Sequence, residues 1–177
     1  MKVKVKNFSD KEGLMPKKAY PNDFCYDLYA VSEEQIAPNV WKYGLGWGMQ
    51  IERGDTPIIL GKFVSQDVSS GKTKDLIACG VVDLKPSKMN LSIDIRPRSS
   101  IWKTGMVLSN SVGTIDENYI NEISAVFYHV MPDMQRYRVG DRVAQCKIGF
   151  TIPIEFEEVE ELNQTDRGLK GFGSSGK

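Results

Sequence analysis

The feature that most restricts what this chain can fold into is its two-residue hydrophobic period. Met89, Leu91, Ile93 and Ile95 alternate with Asn90, Ser92, Asp94 and Arg96, and Val3 and Val5 alternate with Lys2, Lys4 and Lys6. The longest run puts Ala144, Cys146, Ile148, Phe150, Ile152, Ile154 and Phe156 on one face, with Gln145, Lys147, Thr151, Pro153 and Glu155 on the other. Successive side chains of a strand point to opposite faces, so each segment reads as a half-buried strand. Pro153 has no N–H to give a ladder and marks an edge or bulge. No segment carries a long, capped helical pattern, and Gly and Pro punctuate the apolar runs. The expected fold is therefore all-β, an antiparallel jelly roll or β-barrel with little helix.

At 177 residues, 41% of them hydrophobic, the chain can bury one core, and residues 1–162 read as a single domain. From Asn163 onward the apolar pattern stops, leaving only Leu169 and Phe172 as large apolar residues. Residues 163–177 are expected to form a mobile C-terminal arm until something binds them. Lys11 to Asp23, with a glycine and two prolines, reads as a loop. Trp41 to Lys88 holds strand-like runs at Ile58 to Leu60 and Leu76 to Val82, broken by the polar stretch Ser65 to Asp75.

The 23 basic and 23 acidic residues cancel, which argues against nucleic acid or a membrane surface as partner. No apolar run approaches a membrane span, and Met1-Lys-Val-Lys-Val-Lys lacks the apolar centre of a signal peptide, so the expected location is cytoplasmic. Cys25, Cys79 and Cys146 are far apart and odd in number, which fits reduced structural thiols rather than a metal site. The lone histidine, His129, lies in the apolar stretch Ile123 to Val130 and reads as a structural imidazole.

Two segments carry the functional signal. Asn110-Ser-Val-Gly-Thr-Ile-Asp116-Glu-Asn-Tyr119 sets a carboxylate and an aromatic ring three residues apart beside a glycine turn. Arg167-Gly-Leu-Lys-Gly-Phe172-Gly173-Ser174-Ser175-Gly176 flanks a phenylalanine with glycines that cannot anchor it in a core. An arginine, serine hydroxyls and unobstructed backbone N–H groups beside that ring suit phosphate oxygens, so a planar base bearing a polyphosphate is the natural ligand. An aspartate is ionised at neutral pH and can orient and polarise a water. Taken singly, each residue also has a plainer reading. Gly113-Thr-Ile-Asp116 can be a polar hairpin corner, Asn110 a turn residue and Tyr119 a strand-edge aromatic.

Taken together, five segments resemble, in order, the five motifs of the homotrimeric dUTP diphosphatases (dUTPases). They are Tyr26-Asp27-Leu28-Tyr29-Ala30, Pro97-Arg98-Ser99-Ser100-Ile101, Asn110 to Tyr119, Gly140-Asp141-Arg142-Val143-Ala144-Gln145, and Arg167 to Gly176. The resemblance implies attack of water on the α-phosphorus of dUTP, releasing dUMP and pyrophosphate, which keeps uracil out of DNA and supplies dUMP for dTMP synthesis. It implies Asp116 as the water-activating carboxylate and Tyr119 as the ring packed against deoxyribose. Asn110, Val112, Gly113, Thr114 and Ile115 match the hairpin that reads uracil largely through backbone groups. Arg98, Ser99, Ser100, Gln145, Arg167, Gly173, Ser174 and Ser175 match phosphate-side positions, and Phe172 matches the ring that closes on uracil. Mg²⁺ is the implied cofactor, with Asp27 acting on it through its water shell. A homotrimer with shared sites is implied too, the arm of one chain closing over a site built by the other two. Arg142 reads as structural, with Asp141 an obvious partner.

The match has departures. Phe24-Cys25 stand where the family commonly has Ala-Gly, Ser100 and Trp102 where Gly and Ala are usual, and Ile120-Asn121 where Arg-Gly is frequent. Lys170 and Ser175 replace a Gly and a Thr in the tail. The spacing from Asp27 to Arg98 is long, which implies an inserted loop or hairpin within residues 41–88. Three alternatives compete. A dCTP deaminase of the same superfamily shares an Arg-Ser-Ser motif, but its catalytic glutamate would fall at Val126. A P-loop at Gly71-Lys72-Thr73 lacks the required glycine, because Gln66 stands there. A nucleotide-sensing or partner-binding module would not need the water-activating acid at position 116. A zinc deaminase is excluded by the absence of paired cysteines and of His-x-Glu.

Overall fold

The computed structural model describes residues 2–10, 14–52, 90–151, 153–166 and 168. Its strands are β1 (Lys2–Asn7), β2 (Tyr26–Tyr29), β3 (Ser32–Ala37), β4 (Val40–Gly44), β5 (Trp47–Glu52), β6 (Asn90–Pro97), β7 (Met106–Leu108), β8 (Gly113–Ile115), β9 (Ser124–His129) and β10 (Arg142–Thr151). The described residues hold one helical element, a 3₁₀ turn over Ser99–Thr104 that ends on Gly105 at φ 63°. All pairing is antiparallel, in two four-stranded sheets of order β2-β10-β6-β8 and β3-β4-β9-β7 and a two-stranded sheet β1-β5.

One apolar cluster takes residues from all three sheets. Leu28, Ile93, Ile95 and Val143 come from the first, Tyr43, Met106, Leu108 and Phe127 from the second, and Met49 and Ile51 from the third. At its centre three rings pack edge to face: Tyr43 to Phe127 at 5.8 Å, Phe127 to Tyr137 at 5.8 Å and Tyr43 to Tyr137 at 6.4 Å between centroids. That geometry sets the positive ring edge against the negative face. The fold is thus the single-domain, β-rich architecture that the period-two pattern predicts.

Not every strand follows its pattern to the end. Leu91, Ile93 and Ile95 are buried while Ser92, Asp94 and Arg96 are half-buried, as alternation requires. In β10 only the first half does so. Ala144 and Cys146 are buried, but Phe150 is 59% exposed, and Ile154 and Phe156 lie beyond the strand at 73% and 90%. The predicted seven-residue face therefore stops short. β10 ends at Thr151, and Pro153, which has no N–H to give a ladder, comes two residues later. Residues 153–166 are exposed and carry no regular structure. Val3 in β1 is exposed rather than half-buried.

Residues 41–52 belong to β4 and β5 and pair with β3, β9 and β1. The strand-like runs at 58–60 and 76–82, the Gly71 to Thr73 segment, Cys79, and the tail residues Arg167, Phe172, Gly173, Ser174 and Ser175 lie outside the described residues.

Candidate active site

Three of the singled-out segments meet because β10 lies between β2 and β6. Gln145 sits directly opposite Asp27 on one side and Arg96 on the other, so residues far apart in sequence share one stretch of sheet. Arg98, just past the end of β6, donates from Nε to Asp27 Oδ1 at 3.0 Å, and Arg142 donates to Asp27 Oδ2 at 3.1 Å. Asp27 is only 8% exposed, so its charge is held in place by two guanidinium groups rather than by water. Arg142 therefore takes Asp27 as its ion-pair partner, not Asp141. The Asp141 carboxylate instead accepts the Arg138 N–H at 2.8 Å and closes the turn before β10. Gln145 donates to the Pro97 carbonyl at 2.8 Å, and a second guanidinium nitrogen of Arg98 lies 3.4 Å from the Ser100 hydroxyl. Asp27, Arg98, Ser99 and Gln145 line one cleft of about 380 Å³ together with Tyr20 and Phe24.

The second half of the site is the hairpin after β7. Ser111 adopts φ 58°, and Ser111 N–H bonds back to the Leu108 carbonyl at 3.2 Å, which reverses the chain. Gly113 opens β8 under the Asn110 side chain, where an added Cβ would meet Asn110 Nδ2 at 3.1 Å. β8 then pairs with β6 through Ile95 and Gly113, Asp94 and Thr114, and Ile93 and Ile115. This register delivers Asp116, exposed, just past the strand end. A turn comes next, closed by Tyr119 N–H to the Asp116 carbonyl at 3.0 Å, and the Tyr119 hydroxyl donates to the Glu122 carbonyl at 2.9 Å. Asp116, Tyr119, Thr114 and Ile115 line an open cleft of about 490 Å³ with Lys42 and Glu122. This cleft shares no lining residue with the Asp27 cleft. Val112 is exposed at the hairpin tip.

The dUTPase family model matches residues 82–176. A deoxyuridine 5'-triphosphate nucleotidohydrolase of Corynebacterium glutamicum is 31% identical over 170 residues, covering 95% of this chain and 91% of its own. The chain belongs to the dUTPase family. The corresponding protein of Histophilus somni is 39% identical over 112 residues, 63% of this chain and 73% of its own. The dUTPase of Staphylococcus bacteriophage 80alpha, solved with dUPNHPP, superposes with a TM-score of 0.67 at 19% identity over 99% of both chains, a likeness of fold. Of the five segments, the first, second and fourth thus converge on one cleft, the third lines the other, and the fifth lies outside the described residues except for Gly168.

Several supporting residues of this dUTPase chain were missed in sequence. Arg136 donates to Glu33 Oε1 at 3.0 Å, to the Tyr137 carbonyl at 2.9 Å and to the Tyr43 hydroxyl at 3.2 Å, while its guanidinium carbon stacks 3.4 Å over the Trp41 ring. Val139 N–H donates to Glu33 Oε2 at 3.1 Å. This network ties the loop before the fourth motif to β3 and β4, and only three-dimensional pairing reveals it. The hydrogen bond from Arg136, aided by its charge and by Arg138 and Val139, holds the Glu33 carboxyl below its ordinary 4.5 against the opposing pull of burial. A carboxylate depressed in the folded state adds stability above its unfolded value and loses it as pH falls through the folded one. Glu33→Gln is therefore expected to lower Tm at pH 7 and to flatten the acid limb of a Tm-against-pH profile below about 4.5. An acid limb identical to the parent's would remove Glu33 as its source.

His129 is buried, and its Nε2 donates to the Met134 carbonyl at 3.0 Å, the structural role expected of it. Burial, with the neighbouring Cys25, pushes the Cys146 thiol up to about 12, which leaves it unreactive at neutral pH. Cys25 and Cys146 are free.

Proposed function

We propose that Asp116 activates the water that hydrolyses dUTP to dUMP and pyrophosphate, the reaction for which the dUTPase family is named. The observation that carries this is the pairing of Asp116 with Tyr119 in one open cleft at the end of β8. The carboxylate takes the water proton as the oxygen attacks the α-phosphorus, and pyrophosphate leaves. Tyr119 supplies the flat surface against the sugar. The hairpin from Asn110 to Ile115, in which Ser111 bends the chain and Gly113 leaves room, offers backbone groups to the edge of uracil. A pocket built to pair with one edge rejects a base that mismatches it. Arg98, Ser99 and Gln145 hold the phosphates, and the tail with Arg167, Phe172, Gly173, Ser174 and Ser175 closes over them. Val126 is an apolar strand residue facing Lys42 in register, so a deaminase lacks its acid here.

Mg²⁺ is the proposed cofactor. Among the described residues no group of three or more His, Cys, Asp or Glu could hold a metal, so the ion would be carried by substrate phosphates and waters. Asp27, with both oxygens already accepting from arginines, fits a role as an acceptor for the ion's waters rather than as a direct ligand. When bound, the ion would neutralise charge developing on the phosphates.

A homotrimer completes the proposal. The Asp116 and Asp27 clefts have no lining residue in common, and the apolar side chains of Phe150, Ile154, Phe156 and Leu162 stand in solvent on a single chain. Both facts fit a site assembled from more than one copy. Light scattering is expected to give three times 19.9 kDa. Refolding inactive Asp116→Asn together with inactive Arg98→Ala should restore part of the activity, because mixed trimers regain some intact sites. A monomer mass with no recovery would sink the shared-site reading. The cytoplasm is the proposed location, on the odd number and wide spacing of the three cysteines in the sequence.

The reaction is tested with dUTP, UTP, dTTP and dCTP in Mg²⁺, following pyrophosphate and ammonia separately. Pyrophosphate from dUTP alone is expected. Ammonia from dCTP would move the chain to the deaminases, and binding without turnover would make it a nucleotide sensor.

A further inference from the structure

We propose that Glu122 is a positioning residue that sets the preference for deoxyribose over ribose by fixing the Tyr119 ring; this rests on the reading of Tyr119 as the surface against the sugar. The phenol is tethered at its far end, its hydroxyl donating to the Glu122 backbone carbonyl at 2.9 Å. A ring held at both ends excludes a hydroxyl group more sharply than one free to swing about its χ1 bond, and the position of the tether depends on what holds Glu122.

Three contacts hold it. The Glu122 carboxylate accepts the Gly46 N–H at 2.8 Å, Leu45 N–H donates to the Ile123 carbonyl at 3.0 Å, and Ile123 N–H donates to the Trp47 carbonyl at 2.9 Å. The surface they form is a stripe of alternating glycines, Gly44-Leu-Gly46-Trp-Gly48. A Cβ on Gly44 would come within 2.7 Å of Glu122 Oε1, and one on Gly48 within 2.7 Å of the Ile120 carbonyl and 3.0 Å of the Asn121 carbonyl. Gly46 has φ +73°, a conformation open to glycine at no steric cost. The Glu122 carboxylate lies against Gly44 and Gly46 and the backbone of residues 120–121 against Gly48, so the carboxylate pins that segment to the β4–β5 region. Asn121 adds its own side-chain oxygen to the Glu122 N–H at 2.8 Å. The chain from Gly46 through Glu122 to Tyr119 therefore links the β4–β5 turn to the sugar-facing ring.

The test measures kcat/KM for dUTP and UTP, with thermal stability, in the parent, Glu122→Ala, Glu122→Gln, Tyr119→Phe and Tyr119→Ala. Glu122→Ala and Tyr119→Phe are expected to lower the dUTP-to-UTP ratio about tenfold, the scale of one lost hydrogen bond, with KM for dUTP changing more than kcat. Glu122→Gln keeps an oxygen for the Gly46 N–H and is expected to preserve the ratio. A lower Tm with an unchanged ratio in Glu122→Ala makes its role merely structural and overturns the proposal. So does a Glu122→Gln variant as impaired as the alanine. Should Glu122→Ala fail to fold, Tyr119→Phe decides alone, since it cuts the same tether and keeps the ring; an unchanged ratio there overturns the proposal. Tyr119→Ala separates the two layers. If it leaves the ratio intact, the sugar role of Tyr119 fails, whereas a collapsed ratio there beside intact ratios in the other variants removes only the tether.

Discussion

Asp116→Asn is expected to lower kcat for dUTP by roughly 10²–10⁴-fold, the range for loss of a positioned general base. The substitution is nearly isosteric, and Asp116 is exposed beyond the end of β8, so the fold has little reason to respond. Its backbone carbonyl, which closes the turn with Tyr119 N–H, is retained. KM should therefore move much less than kcat, the signature of an interaction that matters in the transition state rather than in the bound ground state. Turnover near that of the parent, in protein with unchanged Tm, would defeat the assignment of Asp116.

Phe127→Ala is expected to cost about 3–5 kcal/mol of stability. Phe127 is fully buried and shares edge-to-face contacts with both Tyr43 and Tyr137, so truncation removes a ring from the middle of a three-ring stack. The Tyr43 hydroxyl donates to the Tyr137 carbonyl at 2.8 Å, which keeps those two residues from closing the space. Urea unfolding at fixed protein concentration measures the loss, since an oligomer's apparent stability depends on how much is present. A change under about 1 kcal/mol would mean that the core collapses into the gap, contrary to the rigidity inferred from that hydrogen bond.

What could be read from sequence depends on the range of the interactions involved. Alternation is a local property, and Leu91, Ile93 and Ile95 show it without help from the rest of the chain. The same rule overran at Ile154 and Phe156, which are exposed and outside any strand, because Pro153 has no N–H to give a ladder and interrupts the run. That Asp116 and Tyr119 share one cleft was legible because they sit three residues apart beside a turn. The Arg142 pairing was misjudged because sequence favours the adjacent Asp141, whereas β2 brings Asp27 from 115 residues away. Glu33 and Arg136 left no local trace, being ordinary charged residues until the loop folds over β3 and β4. The glycines at 44, 46 and 48 did leave one. Glycine weakens a strand, and its recurrence in a strand region signals close approach of other groups, here side chains at Gly44 and Gly46 and backbone at Gly48.

The position of β10 between β2 and β6 has a consequence for synthesis of the protein. Among the described strands it is the last to leave the ribosome, yet it is the inner one that those two pair with. Until residue 151 emerges, β2 lacks the strand it ladders with and, among the described strands, β6 has only the short β8. Nascent chains and fragments cut before Arg142 would expose two open sheet edges, a recognised route to aggregation. The Asp27, Arg98 and Gln145 cluster and protection from self-association consequently arrive in one late step, and a ribosome stalled between residues 140 and 150 would present a chain in need of a chaperone.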